Sequence, residues 1–247
     1  MASSVLKEAW VAYKLEDYVT ARRLFAEDDS KEAIFNLGQM MLNGEGGEAD
    51  VSTARECFEQ CDGDAYASTA LGEIWHTAGD FARARQYFES AVEQGDAAAM
   101  TMLGQMQYDG EGGEVDKTEA RRLFGVASRD EDSEASSLLA KMLLRGEGGF
   151  CPPSSMDLAE ARQLYEKLAV EEGDAVAQRN FAIMCFNGDG GLKDVKTAHQ
   201  YIQLAASQGD EFAKSKVNVI EGSLIQDALR QSGLMTGPKV SYEETLD

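Results

Sequence analysis

The sequence has few of the residues that define several large classes of protein. It contains four cysteines, three prolines and two histidines among 247 residues. So few cysteines argue against a secreted scaffold built on disulfides and fit a reducing compartment. Because prolines are scarce, helices can run almost everywhere in the chain. Two histidines within a repeated pattern offer no Ser-His-Asp or Cys-His nucleophile, so an enzyme acting through such a group lacks a candidate residue.

Positive charge and long apolar runs are also in short supply. The chain has 23 basic and 44 acidic residues, a formal net charge of −21. A field of that sign repels nucleic acid and attracts basic partners, although a charged, solvated surface is the better explanation. No apolar run approaches the length that spans a bilayer, and the N-terminal residues lack the pattern of a signal or transit peptide. We expect a cytoplasmic protein with no nucleic-acid partner, no membrane insertion, no cofactor and no small-molecule substrate.

A repeated pattern occupies most of the sequence. The motif Gly-[Glu/Asp]-Gly-Gly occurs at 44–47, 110–113, 146–149 and 188–191. An Asp, an Ala four residues later and a large apolar residue after four more mark a second helix, called helix B, with Asp as its N-cap. These triplets are Asp17-Ala21-Phe25, Asp50-Ala54-Phe58, Asp80-Ala84-Phe88, Asp116-Ala120-Phe124, Asp157-Ala161-Tyr165 and Asp194-Ala198-Ile202. Before five of them, Ala and Leu-Gly or a variant lie four apart on one face of a preceding helix A.

These motifs resemble the Sel1-like repeat (SLR) family, a relative of the tetratricopeptide repeat. The resemblance covers roughly residues 30–215 and includes the closing Gly-Asp pairs at 63–64, 95–96, 173–174 and 209–210. It implies an all-α, right-handed α/α superhelical solenoid of about six helical hairpins with a C-terminal capping helix. We expect one repeat domain over 1–230, with an N-terminal capping pair at 1–29, repeats at 30–210 and a capping helix at 211–230. Residues 231–247 have the composition of a flexible tail.

Two units depart from the pattern. The unit that contains His76 lacks the glycine-rich loop and resembles a tetratricopeptide unit with a tight turn. The unit after Gly149 is longer and forms a candidate binding loop, although neutral drift of a loop explains the extra length as well. The candidate residues of this insertion are Phe150, Cys151, Pro152, Pro153 and Met156.

Three further patterns have both a chemical and a structural interpretation. The glycine-rich loops carry an acid and lack the Lys-Ser/Thr of a phosphate-binding loop, so they are better explained as helix C-caps that need positive φ. Cys57 and Cys61 could hold a metal, but a site needs more ligands, and packing in the core is the better explanation. A recurrent Arg beside the helix B Ala could form a basic ladder for ligands. Local pairing with Glu59, Glu89 and Glu166 is the favoured alternative.

The resemblance places the ligand surface on the concave face, where the A helices lie. Counting from the Leu-Gly pair of each helix A gives the positions that we expect to face a ligand. These residues are neutral to acidic in the N-terminal repeats and basic towards the C-terminus. They are Gln39, Asn43, Thr69, Glu73, His76, Thr101, Gln105, Asp109, Ser137, Lys141, Arg145, Arg179 and Asn187. We expect a groove of split polarity whose C-terminal half prefers acidic groups.

The resemblance implies a non-enzymatic scaffold or adaptor that binds partner proteins or peptides within a larger complex. The alternative is an accessory or regulatory subunit of an enzyme complex, in which the repeat surface controls a catalytic partner. A hydrolase built into the repeats is the third possibility, and it has no candidate nucleophile. No catalytic residue and no metal site is predicted.

Overall fold

The computed structural model of the chain describes residues 3–149 and 151–232, and in that part helices alternate with turns and loops. The helices are α1 Ser4–Lys14, α2 Tyr18–Ala26, α3 Lys31–Asn43, α4 Val51–Gln60, α5 Ala65–Thr77, α6 Phe81–Glu93, α7 Ala97–Asp109, α8 Lys117–Ala127, α9 Ser133–Arg145, α10 Ser155–Glu171, α11 Ala175–Asn187, α12 Val195–Ser207 and α13 Glu211–Gln231. A short 3₁₀ helix, Ser128–Asp130, follows α8. No strand occurs among the described residues, which confirms the prediction of an all-α fold of successive helix pairs closed by a C-terminal helix. The predicted tail lies outside the described residues from 233 onward.

The chain divides into two compact units between Asp116 and Lys117. The first unit contains α1–α7 and the second contains α8–α13. In the described part of either unit, no helix combines the length and the apolar character that crossing a membrane requires.

Side-chain caps begin the helices where the sequence predicts them. Asp17, Asp50, Asp80 and Asp194 each accept a hydrogen bond from the backbone N–H three residues later and cap a B helix. The aspartates of the closing Gly-Asp pairs cap the A helices in the same way, as at Asp64. The first glycine of each loop ends an A helix in the left-handed conformation, with φ between +68° and +85°. The prediction that these loops are helix C-caps is therefore confirmed.

The predicted N-cap of α10 is wrong. Asp157 was expected to cap this helix, but α10 begins at Ser155 and Ser154 is its N-cap. Asp157 occupies the third helical position, where its carboxylate accepts from the Ser154 backbone N–H at 3.0 Å and Ser154 Oγ accepts from the Asp157 N–H at 3.1 Å. A serine followed by an acid three residues later forms this reciprocal capping box, so the helix starts earlier than the repeat pattern suggests.

The core is built from the repeated alanines and the large apolar residues of the B helices. All six alanines of the triplets are fully buried, and the six large residues are at most 2% exposed. The mid-helix glycines of the A helices allow this packing, because a Cβ on Gly72 would lie 2.6 Å from Phe88 Cε1. The predicted close contact between helices at these glycines is confirmed at Gly38 and Gly72.

Candidate functional site

Each glycine-rich loop packs against the start of the B helix that precedes it in the chain. At Gly46, which has φ +74°, an added Cβ would lie 2.2 Å from the carbonyl oxygen of Tyr18 at the start of α2. The same close approach joins Gly112 to Phe81, Gly148 to Lys117 and Gly190 to Leu158. The second glycine of the motif therefore has a packing role beyond capping, since no side chain fits between the loop and that carbonyl.

Four of the five recurrent arginines of the B helices lie against a glycine-rich loop, namely Arg22, Arg85, Arg121 and Arg162. Arg22 donates to the Glu48 carbonyl at 3.1 Å. Arg162 donates to the Leu192 and Asp189 carbonyls at 3.1 and 3.4 Å, rather than pairing with Glu166 as predicted. Arg121 pairs with Asp157. These arginines thus hold the chain's own loops and do not form a ladder for external ligands.

Local pairs account for the two remaining arginines. Arg55 Nε lies 3.5 Å from Glu59, and Arg85 Nε lies 3.1 Å from Glu89. These two of the three predicted i,i+4 pairs are present. Arg85 also lies against Gly113 of a loop, since a Cβ there would meet its guanidinium at 2.1 Å.

Two candidates of the predicted binding face in the first unit are buried. Thr69 is 7% exposed and Thr101 is 3% exposed. Each hydroxyl donates to the carbonyl four residues earlier in its own helix, at 3.0 and 3.1 Å. A threonine can bury its methyl group once its hydroxyl is satisfied in this way, so these two side chains are buried rather than exposed on the predicted face.

The other first-unit candidates reach the surface to different degrees. Asn43, Glu73 and Asp109 are exposed, while Gln39, His76 and Gln105 are half-buried. His76 Nε2 lies 2.7 Å from Glu111 of the next loop, and Gln105 donates to Asp109.

Of the two acidic candidates in the first unit, Asp109 accepts from Gln105, whereas Glu73 pairs with no described residue. Partial burial of the carboxyl, followed by the nearby charge of Asp96, raises the pKa of Glu73 above its ordinary value. The ionised form of Glu73 is therefore less stable than that of a fully hydrated carboxylate, and a cationic group of a ligand would offset this loss of hydration.

The second-unit candidates are basic at their centre. Lys141 and Arg145 are exposed, lie four residues apart on α9 and form no ion pair with a described residue. Arg179 is partly neutralised, since its guanidinium lies 2.7 Å from Asp210 and faces the ring of Phe212. Ser137 is half-buried, and exposed Asn187 donates to Asp189 at 3.1 Å.

Buried Tyr165 lies close to both arginines of this face. Burial raises the pKa of Tyr165 to about 12, although a hydrogen bond from Asn180 and the charges of Arg145 and Arg179 oppose the shift. Side chains of α9 and α11 thus both lie near Tyr165 of α10: Arg145 from α9, and Arg179 and Asn180 from α11. The unpaired cation Arg145 therefore lies close to a buried aromatic residue, and Lys141 precedes it by one helical turn on α9.

The insertion is accessible, but its role stays a prediction. Cys151, Pro152 and Met156 are exposed, with Met156 at 81%, and Pro153 is half-buried. Phe150 lies outside the described residues. Cys57 and Cys61 are buried free thiols, as predicted for core residues. In the described part of the chain no three potential metal-ligating side chains gather.

Comparisons with known proteins agree with these repeats. The family model described as "Sel1 repeat" matches five segments, 31–60, 66–96, 97–132, 133–169 and 175–210. The structure of c5321, a protective antigen present in uropathogenic Escherichia coli strains and displaying an SLR fold, superposes with a TM-score of 0.78 at 23% identity. That match covers 95% of this chain and 50% of the antigen, so this chain spans half the antigen's length. A Sel1 repeat protein from Oxalobacter formigenes gives 0.73 at 22% identity, covering 84% and 87% of the two chains. No curated protein matches the sequence.

Proposed function

Since the chain belongs to the Sel1 repeat family, whose members generally act as protein-interaction scaffolds, we propose that it is a non-enzymatic scaffold that binds partner proteins or peptides within a larger assembly. The observation that carries the proposal is the pair of unpaired cations, Lys141 and Arg145, on α9. In a chain with a net charge of −21, two exposed cations one helical turn apart without an acidic partner are available to an acidic group of another protein.

The first unit supports binding of the opposite kind. Glu73 is exposed and unpaired, and its raised pKa means that a basic group would gain by contacting it. We propose that the A helices of the two units recognise groups of opposite charge, each on its own face. The four free thiols fit a reducing compartment such as the cytoplasm.

A pair of double variants tests the basic face. Lys141→Glu/Arg145→Glu reverses two charges on α9, and Lys167→Glu/Lys196→Glu makes the same change in net charge at exposed positions of α10 and α12. The partner that co-purifies with the full chain is identified by mass spectrometry, and its affinity for each purified variant is then measured. We expect the α9 variant to lose at least about tenfold in affinity and the control to stay within about twofold. Equal affinities for both variants would refute the proposal.

A further inference from the structure

The helix pair α5–α6 has no glycine-rich loop between its helices, and the start of the preceding B helix, α4, is therefore uncovered. Seven residues or more connect the two helices of each pair α3–α4, α9–α10 and α11–α12. Only three residues, Ala78–Asp80, connect α5 to α6. A loop at this point would cover the start of α4, as the loop at Gly46 covers the start of α2. Val51, the first residue of α4, is instead 51% exposed, whereas its counterparts Tyr18, Phe81, Lys117 and Leu158 are half-buried.

The arginine that a loop would hold forms a local ion pair with Glu59 but has no hydrogen-bond acceptor. Arg55 corresponds to Arg22 and Arg162, which donate to loop carbonyls. Arg55 forms no hydrogen bond with a described residue, and its buried Nε lacks a partner although Glu59 lies 3.5 Å away. Arg55 thus keeps the donors that its counterparts use to hold a loop.

A tryptophan occupies part of the vacant space. Trp75 stands where Met41 stands in the preceding A helix, and the guanidinium groups of Arg55 and Arg83 lie 5.4 and 4.4 Å from its ring centroid. Its indole N–H is buried and has no hydrogen-bond partner. Unpaired buried donors are uncommon because each loses its hydrogen bonds to water without compensation, and here two of them adjoin one another.

We propose that Val51, Arg55, Trp75 and Arg83, here named the loop-free notch, form a docking site for a turn of a partner protein that presents backbone carbonyl oxygens. Such a turn takes the position of the missing glycine-rich loop. Its carbonyls accept from the terminal guanidinium nitrogens of Arg55, as the loop carbonyls accept from Nη1 of Arg22 and Arg162, and its backbone packs against the exposed start of α4 beside Trp75. The chemistry of this occupant follows from the chain's own loops, which offer carbonyls, such as that of Glu48, to the equivalent arginine.

The test uses a cyclic peptide that contains the loop sequence of residues 43–50 and has no charged termini. Trp75 and Trp10 are the two tryptophans of the chain, so their indole N–H resonances report on the notch and on a control position in one titration. Trp10 Nε1 already donates to Glu32 at 2.9 Å. We expect a saturable shift of the Trp75 resonance with a dissociation constant near 1 mM, while Trp10 does not respond. No saturable shift up to about 10 mM peptide, or equal shifts of both resonances, would overturn the proposal.

Matched variants assign the binding to the notch. Arg55→Gln is expected to weaken the peptide about tenfold, whereas Arg22→Gln, at an arginine already covered by a loop, leaves the affinity unchanged. A second variant closes the notch within the chain: Ala78-Gly79 is replaced by the sequence of residues 44–49, together with Trp75→Met. It retains the fold and should no longer bind the peptide, as detected by calorimetry. Undiminished binding by the closed variant contradicts the proposal even if Arg55→Gln does not fold.

The nature of the acceptor is tested with a second cyclic peptide in which glutamine replaces both glutamates and asparagine replaces the aspartate, so that no carboxylate remains. Because the proposed acceptors are backbone carbonyls, this peptide should bind within about twofold of the first. A loss of binding would show that the notch recognises side-chain carboxylates and would overturn the assignment of the occupant.

Discussion

The close approach of the loops to the preceding helix makes a quantitative prediction at Gly46. Gly46 and Gly63 have nearly the same positive φ, +74° and +76°. A Cβ on Gly63 would meet nothing within 4 Å, whereas a Cβ on Gly46 would lie 2.2 Å from the Tyr18 carbonyl oxygen. The two alanine variants therefore share the same backbone strain and differ in the steric contact.

The backbone strain that both variants share costs little free energy, whereas the steric contact at Gly46 costs more. Placing an L-residue in the left-handed region costs about 1–2 kcal/mol, partly offset by the lower entropy of the unfolded chain, so Gly63→Ala should cost about 1 kcal/mol. Gly46→Ala adds an overpacking cost of about 1–3 kcal/mol because neither backbone can move aside cheaply. Displacing the loop also weakens the Arg22 hydrogen bond to Glu48, which contributes about 1 kcal/mol. We expect about 3–5 kcal/mol for Gly46→Ala in total.

Urea denaturation followed by helical circular dichroism measures the difference, with scanning calorimetry as a check. For a chain of this size the midpoint temperature falls by about 2–4 °C per kcal/mol, so Gly63→Ala should lose about 3 °C and Gly46→Ala about 9 °C or more. The slope with urea must stay constant, since repeat arrays can lose cooperativity. If the two variants agree within about 0.5 kcal/mol, the loop does not pack on α2 as described.

Three further predictions follow from burial and hydrogen bonding. Hydrogen bonds from Ser154 and from Arg121 hold the pKa of Asp157 below its ordinary value, so Asp157→Asn should lower the midpoint temperature at pH 7. That difference should shrink as the pH falls below about 4, where the unfolded carboxyl is protonated; a difference that persists at pH 2 contradicts this. Because burial raises the pKa of Tyr165 to about 12, this residue should make the protein lose stability as the pH rises above about 10, and Tyr165→Phe should remove that component from an alkaline unfolding series. Exposed Cys151 should react with a thiol reagent much faster than buried Cys57, Cys61 and Cys185, whose pKa values burial raises; four equal rates would show that the core is open.

Much of the fold could be predicted because its determinants are local. An Asp cap, an Ala and a large apolar residue at spacings of four specify one helix and its buried face, and the helices of the repeats appear where this pattern predicts them, apart from the earlier start of α10. The cap of α10 was mispredicted for a local reason as well. Ser154 and Asp157 form a capping box, which a serine followed by an acid three residues later indicates in the sequence, but the repeat pattern favours Asp157 as the N-cap of helix B.

The binding surface was harder to predict because burial depends on neighbouring repeats. Thr69 and Thr101 occupy the register position that Arg179 occupies in another unit, and the hydroxyl that makes threonine look polar is satisfied within its own helix. One feature of the sequence indicates that the loops pack on the preceding helices, namely the second glycine of each motif. Its partner is a backbone carbonyl, which carries no sequence signature.

Because each loop packs on the B helix of the preceding pair, a missing loop affects that preceding pair rather than its own. Each loop covers the B helix before it, so the unit that lacks a loop is itself intact, and the exposed consequence appears one unit earlier, at Val51 and Arg55 of α4. Inspection of the irregular unit alone would select His76, which is already paired with Glu111. In an array of this kind, the functional consequence of an irregular loop should therefore be sought on the preceding B helix, and here that helix carries the unsatisfied donor.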